Sequence, residues 1–271
     1  MVGFRNDYRN YAGDVFHHGN ATPLPSAEKP LTDARYQVNG KSYNLQDYLK
    51  RQNVSGMLVL KDGKIAWKYL GEGNTDTTLW TSRSVGKSVV STLVGVALKE
   101  GKIRSLDDLV TQYEPDLKGT AWDGVTLKQL ITHTSGVAWN EDYTNPASDF
   151  AQLTECEAKP GTYDCVRKLV SGLKREHPAG QHWSYSSGGA WLLGDVLERA
   201  TGMTLAAILR RASGSRTAWR ATVYGMPTVK VSMMSARMAL TPRWKTGDAS
   251  GSLSCITAHY RTANRSCLTT G

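Results

Sequence analysis

The sequence predicts an α+β protein, and three observations carry that prediction. Residues 56–60 and 64–69 flank Lys61-Asp62-Gly63, the pattern of two antiparallel strands joined by a tight turn. Apolar residues at helical spacing dominate the chain after residue 84. Strand–helix–strand alternation, which would build a doubly wound parallel sheet, does not recur.

The elements follow in order. Residues 1–35, with Pro23, Pro25 and Pro30, read as an irregular arm. Residues 36–38 and 41–43 surround Asn39-Gly40 and form a small hairpin. Residues 45–51 suggest a short helix, and the 56–69 hairpin comes next. The apolar run 89–98 makes a helix that opens near Ser84 and ends at Gly101. Ser105-Leu106-Asp107-Asp108 reads as a capped turn. Thr126 caps a helix over residues 127–132, stopped by Ser135-Gly136, and residues 166–173 are helical. From Ser187 a glycine pair leads into an amphipathic helix over residues 190–200, closed by Thr201-Gly202, and another helix begins near Leu205.

At 271 residues the chain can bury a sizeable core. Its longest apolar run, residues 89–98, is too short to span a bilayer. No basic patch leads into an apolar run at the N-terminus. The expectation is a cytoplasmic protein as written, or a periplasmic one if an upstream signal peptide was lost and Cys156 and Cys165 form a disulfide. The net charge of +9 is uneven: residues 211–271 hold nine Lys/Arg and one acid, Asp248, a net +8. The rest is nearly neutral, which argues against nucleic acid as a partner. Cys156 and Cys165 bracket a Pro-Gly loop. They can close a disulfide or remain free thiols, and their spacing without a nearby histidine does not suit zinc.

The chemistry-bearing motif is Ser84-Val85-Gly86-Lys87. On a helix, positions i and i+3 share a face, so hydroxyl and amine project together. The helix N-terminus adds backbone N–H groups and positive dipole. A serine nucleophile needs a base, which a lysine can supply, and the N–H groups can receive an oxyanion. Tyr185-Ser186-Ser187 precedes the later helix, and its phenol could carry a proton between nucleophile and leaving group. The plainer reading is a loop tyrosine packed on Trp183.

Read together, Trp80 to Ser88, Leu130-Ile131-Thr132-His133-Thr134-Ser135-Gly136, Tyr185-Ser186-Ser187, Gly194 and Glu198 to Gly202 occur in one order. The set resembles the serine β-lactamase and penicillin-binding-protein superfamily over roughly residues 35–210. It is most similar to the class C-like branch of esterases and 6-aminohexanoate-dimer hydrolases. Trp139 to Ser148 is similar to a loop of the dimer-hydrolase branch. The resemblance implies a β-lactamase-like fold, an antiparallel sheet flanked by helices plus a helical lobe, and an acyl-enzyme route on a small amide or ester. Ser84 would be the nucleophile, Lys87 the base or its electrostatic partner, and Tyr185 the proton relay. Tyr143 and Ser187 would contact substrate. Ser187 stands where many members carry asparagine, which favours amides or esters over β-lactams. His133 would belong to a structural turn. Neither a metal nor a cofactor is implied.

Beyond residue 210 the sequence changes character. Reading one base out of frame, Arg211-Ala212-Ser213-Gly214-Ser215-Arg216-Thr217-Ala218-Trp219 becomes R-I-W-Q-P-Y-G-M, similar to how this superfamily continues. We therefore expect residues 211–271 to be an aberrant basic tail, translated out of frame, and the hydrolase domain over 36–210 to be impaired. A non-catalytic fragment or penicillin-binding module is the alternative. Lys245-Thr246-Gly247 matches the Lys-Thr-Gly box of β-lactamases. If the tail is in frame, the chain could be a true β-lactamase using Lys245.

Overall fold

The computed structural model describes residues 24–31, 33–76, 78–159, 161–214, 217–218, 221–223, 236–239 and 243–244. Strands β1 (Arg35–Val38) and β2 (Lys41–Asn44) form the first hairpin. Its turn carries positive φ at Asn39 (50°) and Gly40 (76°), as a two-residue hairpin loop requires. Helix α1 (Leu45–Arg51) starts directly, with Asn44 and Asp47 exchanging the two bonds of a capping box.

Strands β3 (Gly56–Lys61) and β4 (Lys64–Leu70) form the second hairpin, with positive φ at Asp62 and Gly63. The N-terminal arm is less irregular than its prolines suggest. Ser26 bridges Ile65 in parallel, and the Ala27 and Lys29 amides donate to the Ile65 and Ala66 carbonyls at 2.8 and 3.0 Å. The arm thereby covers the outer edge of β4. No strand partner lies on the outer edge of β3 among the described residues.

Strand β5 (Leu79–Thr81) is an element the sequence reading missed. Three residues are too few to show an alternation, and its partner strand, Ala236–Ala239, lies far along the chain. The helical lobe follows: α2 (Val85–Lys99), α3 (Val110–Tyr113), a single 3₁₀ turn (Pro115–Leu117) and α4 (Leu127–Ile131). Then come α5 (Asp149–Glu157), α6 (Thr162–Gly172), α7 (Ser187–Thr201) and α8 (Leu205–Gly214). Helix α5 was also missed; its start is set by Ser148, whose hydroxyl accepts the Ala151 amide at 3.1 Å.

Short strands β6 (Thr217–Ala218), β7 (Ala221–Val223), β8 (Ala236–Ala239) and β9 (Arg243–Trp244) complete the described backbone. Strand order is β5-β8-β7 in one sheet and β6-β9 in another. Helix α8 runs past residue 210, the boundary expected for the tail. Lys245 and Cys255 and Cys267 lie outside the described residues. None of the helices searched among the described residues is long and apolar enough to cross a membrane.

Helix α7 is the axis of the lobe. Ser187 through Leu197 are all buried, so polar and apolar faces are not distinguished along that stretch. It packs against α2, α4, α5, α6 and α8. Trp122 is fully buried and donates its indole N–H to the Val170 carbonyl at 2.8 Å, which meets the need of a buried Trp for an acceptor.

A charge cluster also ties α6 and α7 to the α3 end. Arg167 contacts Glu114 at 2.9 Å, Asp116 at 2.6 Å and Asp195 at 3.1 Å, while Arg199 contacts Glu114 at 2.9 Å. Burial opposes the Arg167 charge, but the three carboxylates outweigh it and raise its pKa. Cys156 and Cys165 are joined in a disulfide that links α5 to α6, so of the two readings open in the sequence the bonded one holds.

Candidate active site

Ser84 occupies the N-cap of α2, yet it does not cap the helix. A capping serine has an extended backbone and accepts an N–H two or three residues on. Ser84 instead has φ −62° and ψ −12°, which turns its hydroxyl away from those amides, and it makes no side-chain cap bond. The preceding Arg83 holds φ +47°, a left-handed conformation unfavourable to a residue with a Cβ. The hydroxyl is thus available, and Lys87 Nζ donates to Ser84 Oγ at 3.1 Å. Among the described residues no acceptor bonds the Ser84 amide, which leaves an N–H at the positive end of a fifteen-residue helix.

Tyr185 comes to this pair through backbone pairing, not through its neighbours in sequence. The His133–Gly136 turn runs beside the 174–184 segment: Ser184 N donates to His133 O at 2.9 Å, Gly180 N to Thr134 O at 2.7 Å, and Glu176 N to Gly136 O at 2.9 Å. Gly136 has φ +71°, and a Cβ there would sit 2.1 Å from the His177 carbonyl oxygen, so only glycine fits. The loop delivers the Tyr185 ring to 4.9 Å from Lys87 Nζ, within cation–π range. The plainer reading of Tyr185, packing on Trp183, does not hold. Its ring lies 4.8 Å from His133, and Trp183 is 64 % exposed.

His133 stands in the turn within reach of the site. Its Nδ1 accepts the Ser186 amide at 3.3 Å. Burial holds the imidazole below its ordinary pKa; the Lys87 charge acts in the same direction and Glu141 opposes both. The ring is therefore neutral at physiological pH.

The two expected substrate residues are placed differently. Tyr143 is 58 % exposed, with its ring edge-on to Phe150 at 4.5 Å. Ser187 is buried, and its hydroxyl donates to Glu141 Oε1 at 2.6 Å. Glu141 is the group that sequence reasoning passed over. It also accepts the Ser187 amide at 3.0 Å, the Tyr143 hydroxyl at 3.1 Å and the Trp139 indole N–H. The available signal was an acid flanked at two residues on either side by an aromatic with a donor. Lys87, His133, Leu130 and Leu193 line an open recess beside the lysine.

Comparison with known proteins bears on the family and the fold. The beta-lactamase family model matches residues 43–242, crossing the start of the expected tail. A 6-aminohexanoate-dimer hydrolase of Paenarthrobacter ureafaciens is 27% identical over 165 residues, covering 59% of this chain and 41% of that protein. A beta-lactamase of Pseudomonas fluorescens is 32% identical over 114 residues, 39% of this chain and 31% of that one. The chain thus spans less than half the length of these curated relatives. Among solved structures, a Bacillus anthracis protein provisionally assigned as a 6-aminohexanoate-dimer hydrolase superposes with a TM-score of 0.75. It is 18% identical, and the match covers 88% of this chain and 65% of that one. A class C beta-lactamase in complex with cefoxitin gives a TM-score of 0.50 at 21% identity, covering 72% of this chain and 60% of that one. The fold is beta-lactamase-like, and the chain belongs to the beta-lactamase family.

Proposed function

We propose that this chain is a serine hydrolase that cleaves an amide or ester bond in a small molecule through an acyl-enzyme on Ser84. The observation that carries the reading is the 3.1 Å contact between Lys87 Nζ and a Ser84 hydroxyl released from capping. A hydroxyl is a weak nucleophile until a base within hydrogen-bond reach takes its proton.

As the free amine, Lys87 accepts the Ser84 proton while Oγ bonds the substrate carbonyl carbon. The resulting oxyanion is stabilised by the Ser84 N–H at the head of α2. The Tyr185 phenol, beside Lys87, protonates the departing nitrogen or oxygen, and the carbon–heteroatom bond breaks. The Lys87 ammonium passes its proton to the Tyr185 phenolate, which restores both groups. Water then attacks the acyl carbon of the ester as its proton goes to Lys87, and the bond to Ser84 Oγ breaks as that proton returns to Oγ and the acid is released. Ser187, buried and bonded to Glu141 where many members of the superfamily carry asparagine, supports an amide or ester substrate over a β-lactam.

Activity on p-nitrophenyl esters, short-chain amides and a chromogenic cephalosporin tests the proposal. Ester or amide turnover that disappears in Ser84→Ala is expected. Turnover confined to the cephalosporin would favour a β-lactamase, and turnover unchanged in Ser84→Ala would remove Ser84 as nucleophile. We further propose that the frame is shifted near codon 211. An intended, unbroken frame in the gene would refute this.

A further inference from the structure

Glu141 accepts four hydrogen bonds: the Ser187 hydroxyl and the Tyr143 hydroxyl on Oε1, the Ser187 amide and the Trp139 indole on Oε2. A carboxylate offers about four lone-pair sites, so this one is saturated and cannot bind substrate itself. Two of its donors are buried or nearly so, Ser187 and Trp139, and fix the carboxylate against α7. The third donor group, Tyr143, is exposed at the surface. A clamp rooted in the core and reaching an exposed aromatic two residues away orders that aromatic for contact with something else.

We propose that Glu141 is the positioning residue of this site: it ties Tyr143 to Ser187 at the head of α7, two residues from Tyr185. Gly188 adds a second constraint, because a Cβ there would lie 2.4 Å from the Trp139 ring, so helix and loop are pressed together where Glu141 joins them. The proposal rests on reading Ser84, Lys87 and Tyr185 as a hydrolase site.

Glu141→Gln preserves shape but turns an N–H₂ group toward donors. The test compares three readouts in wild type, Glu141→Gln, Tyr143→Phe and the double variant. Ser84 labelling by a fluorophosphonate, which needs only the nucleophile and its base, should stay within about twofold in Glu141→Gln. The KM for p-nitrophenyl butyrate should rise about tenfold with kcat within about threefold, and adding Tyr143→Phe to Glu141→Gln should change KM less than about twofold, the signature of coupled residues. Additive effects on KM, or labelling and hydrolysis falling together with the melting temperature, would overturn the positioning role.

Nitration of Tyr143 by tetranitromethane separates this from the hydrolase reading. If wild type neither labels nor hydrolyses, the hydrolase reading fails, and an unchanged nitration rate in Glu141→Gln overturns the tether as well. A rise of about fivefold sustains the tether. Should Glu141→Gln not fold, Tyr143→Phe and Ser187→Ala, each removing one donor, carry the same comparison.

Discussion

Replacing Arg167 by methionine is the severest test of how the helical lobe holds its site. Arg167 is 12 % exposed, and two of its partners, Glu114 and Asp195, are fully buried. Methionine fills much of the same volume, so packing changes little and the charges decide the outcome. Removing one partner of a buried ion pair costs about 3–5 kcal/mol, because the carboxylate left behind is neither solvated nor neutralised. Partial compensation remains: Glu114 keeps Arg199 at 2.9 Å, and Asp195 keeps the Tyr163 hydroxyl at 3.0 Å. The loss should therefore fall at the low end, about 3 kcal/mol. At roughly 2–4 °C per kcal/mol for a domain of this size, the melting temperature drops by about 6–12 °C. Urea titration and thermal melting followed by circular dichroism measure both quantities. Stranded carboxylates have raised pKa values, so they protonate earlier on acidification and the gap to wild type narrows. A loss below about 1 kcal/mol, or a gap that widens as pH falls, would refute the reasoning. Arg167→Lys should lie between, since an ammonium reaches fewer carboxylates than the guanidinium fork.

Other perturbations probe the site more locally. Gly188→Ala places its Cβ 2.4 Å from the Trp139 ring, and overpacking of that kind should cost about 1–3 kcal/mol with altered Trp fluorescence; a neutral effect would mean the ring yields freely. Because the His133 pKa is lowered on folding, the unfolded chain binds more protons, so its contribution is fully present above about pH 6.5 and is lost as pH falls toward the folded value. His133→Gln should remove that slope in stability-versus-pH curves. Lys87→Ala takes away a positive neighbour, so the His133 titration followed by NMR should move upward, and no movement would deny their proximity. Reducing the Cys156–Cys165 bridge, which closes a short loop of sequence separation 9, should cost about 2–3 kcal/mol, visible as a lower melting temperature in dithiothreitol.

Much of the architecture was legible because local chemistry and global fold agree. Asn39-Gly40 and Asp62-Gly63 specify their hairpins through positive φ, and Thr126 with Gln129 closes the capping box that starts α4. Ser84 and Lys87 were legible because one helical turn fixes their distance. Glu141 was not, since its importance comes from Ser187, 46 residues away, which the alternation of local residues cannot encode. Helix α5 hid for a related reason: only Leu153, Cys156 and Glu157 are buried, too sparse a stripe to read as a period. Strand β5 draws its identity from β8, a pairing of the kind no short window contains. Tyr185 was found through a resemblance of motifs, and its physical basis, the pairing of the His133 turn with the 174–184 loop, became visible only in three dimensions.

The central claim is that Ser84 is a nucleophile activated by Lys87. Treating the protein with a fluorophosphonate and mapping the adduct by tryptic mass spectrometry tests it most directly. The account predicts one adduct, on the peptide that begins with Ser84, absent in Ser84→Ala and formed about a hundredfold or more slowly in Lys87→Ala. An adduct on any other residue, or labelling at the wild-type rate in Lys87→Ala, would contradict it.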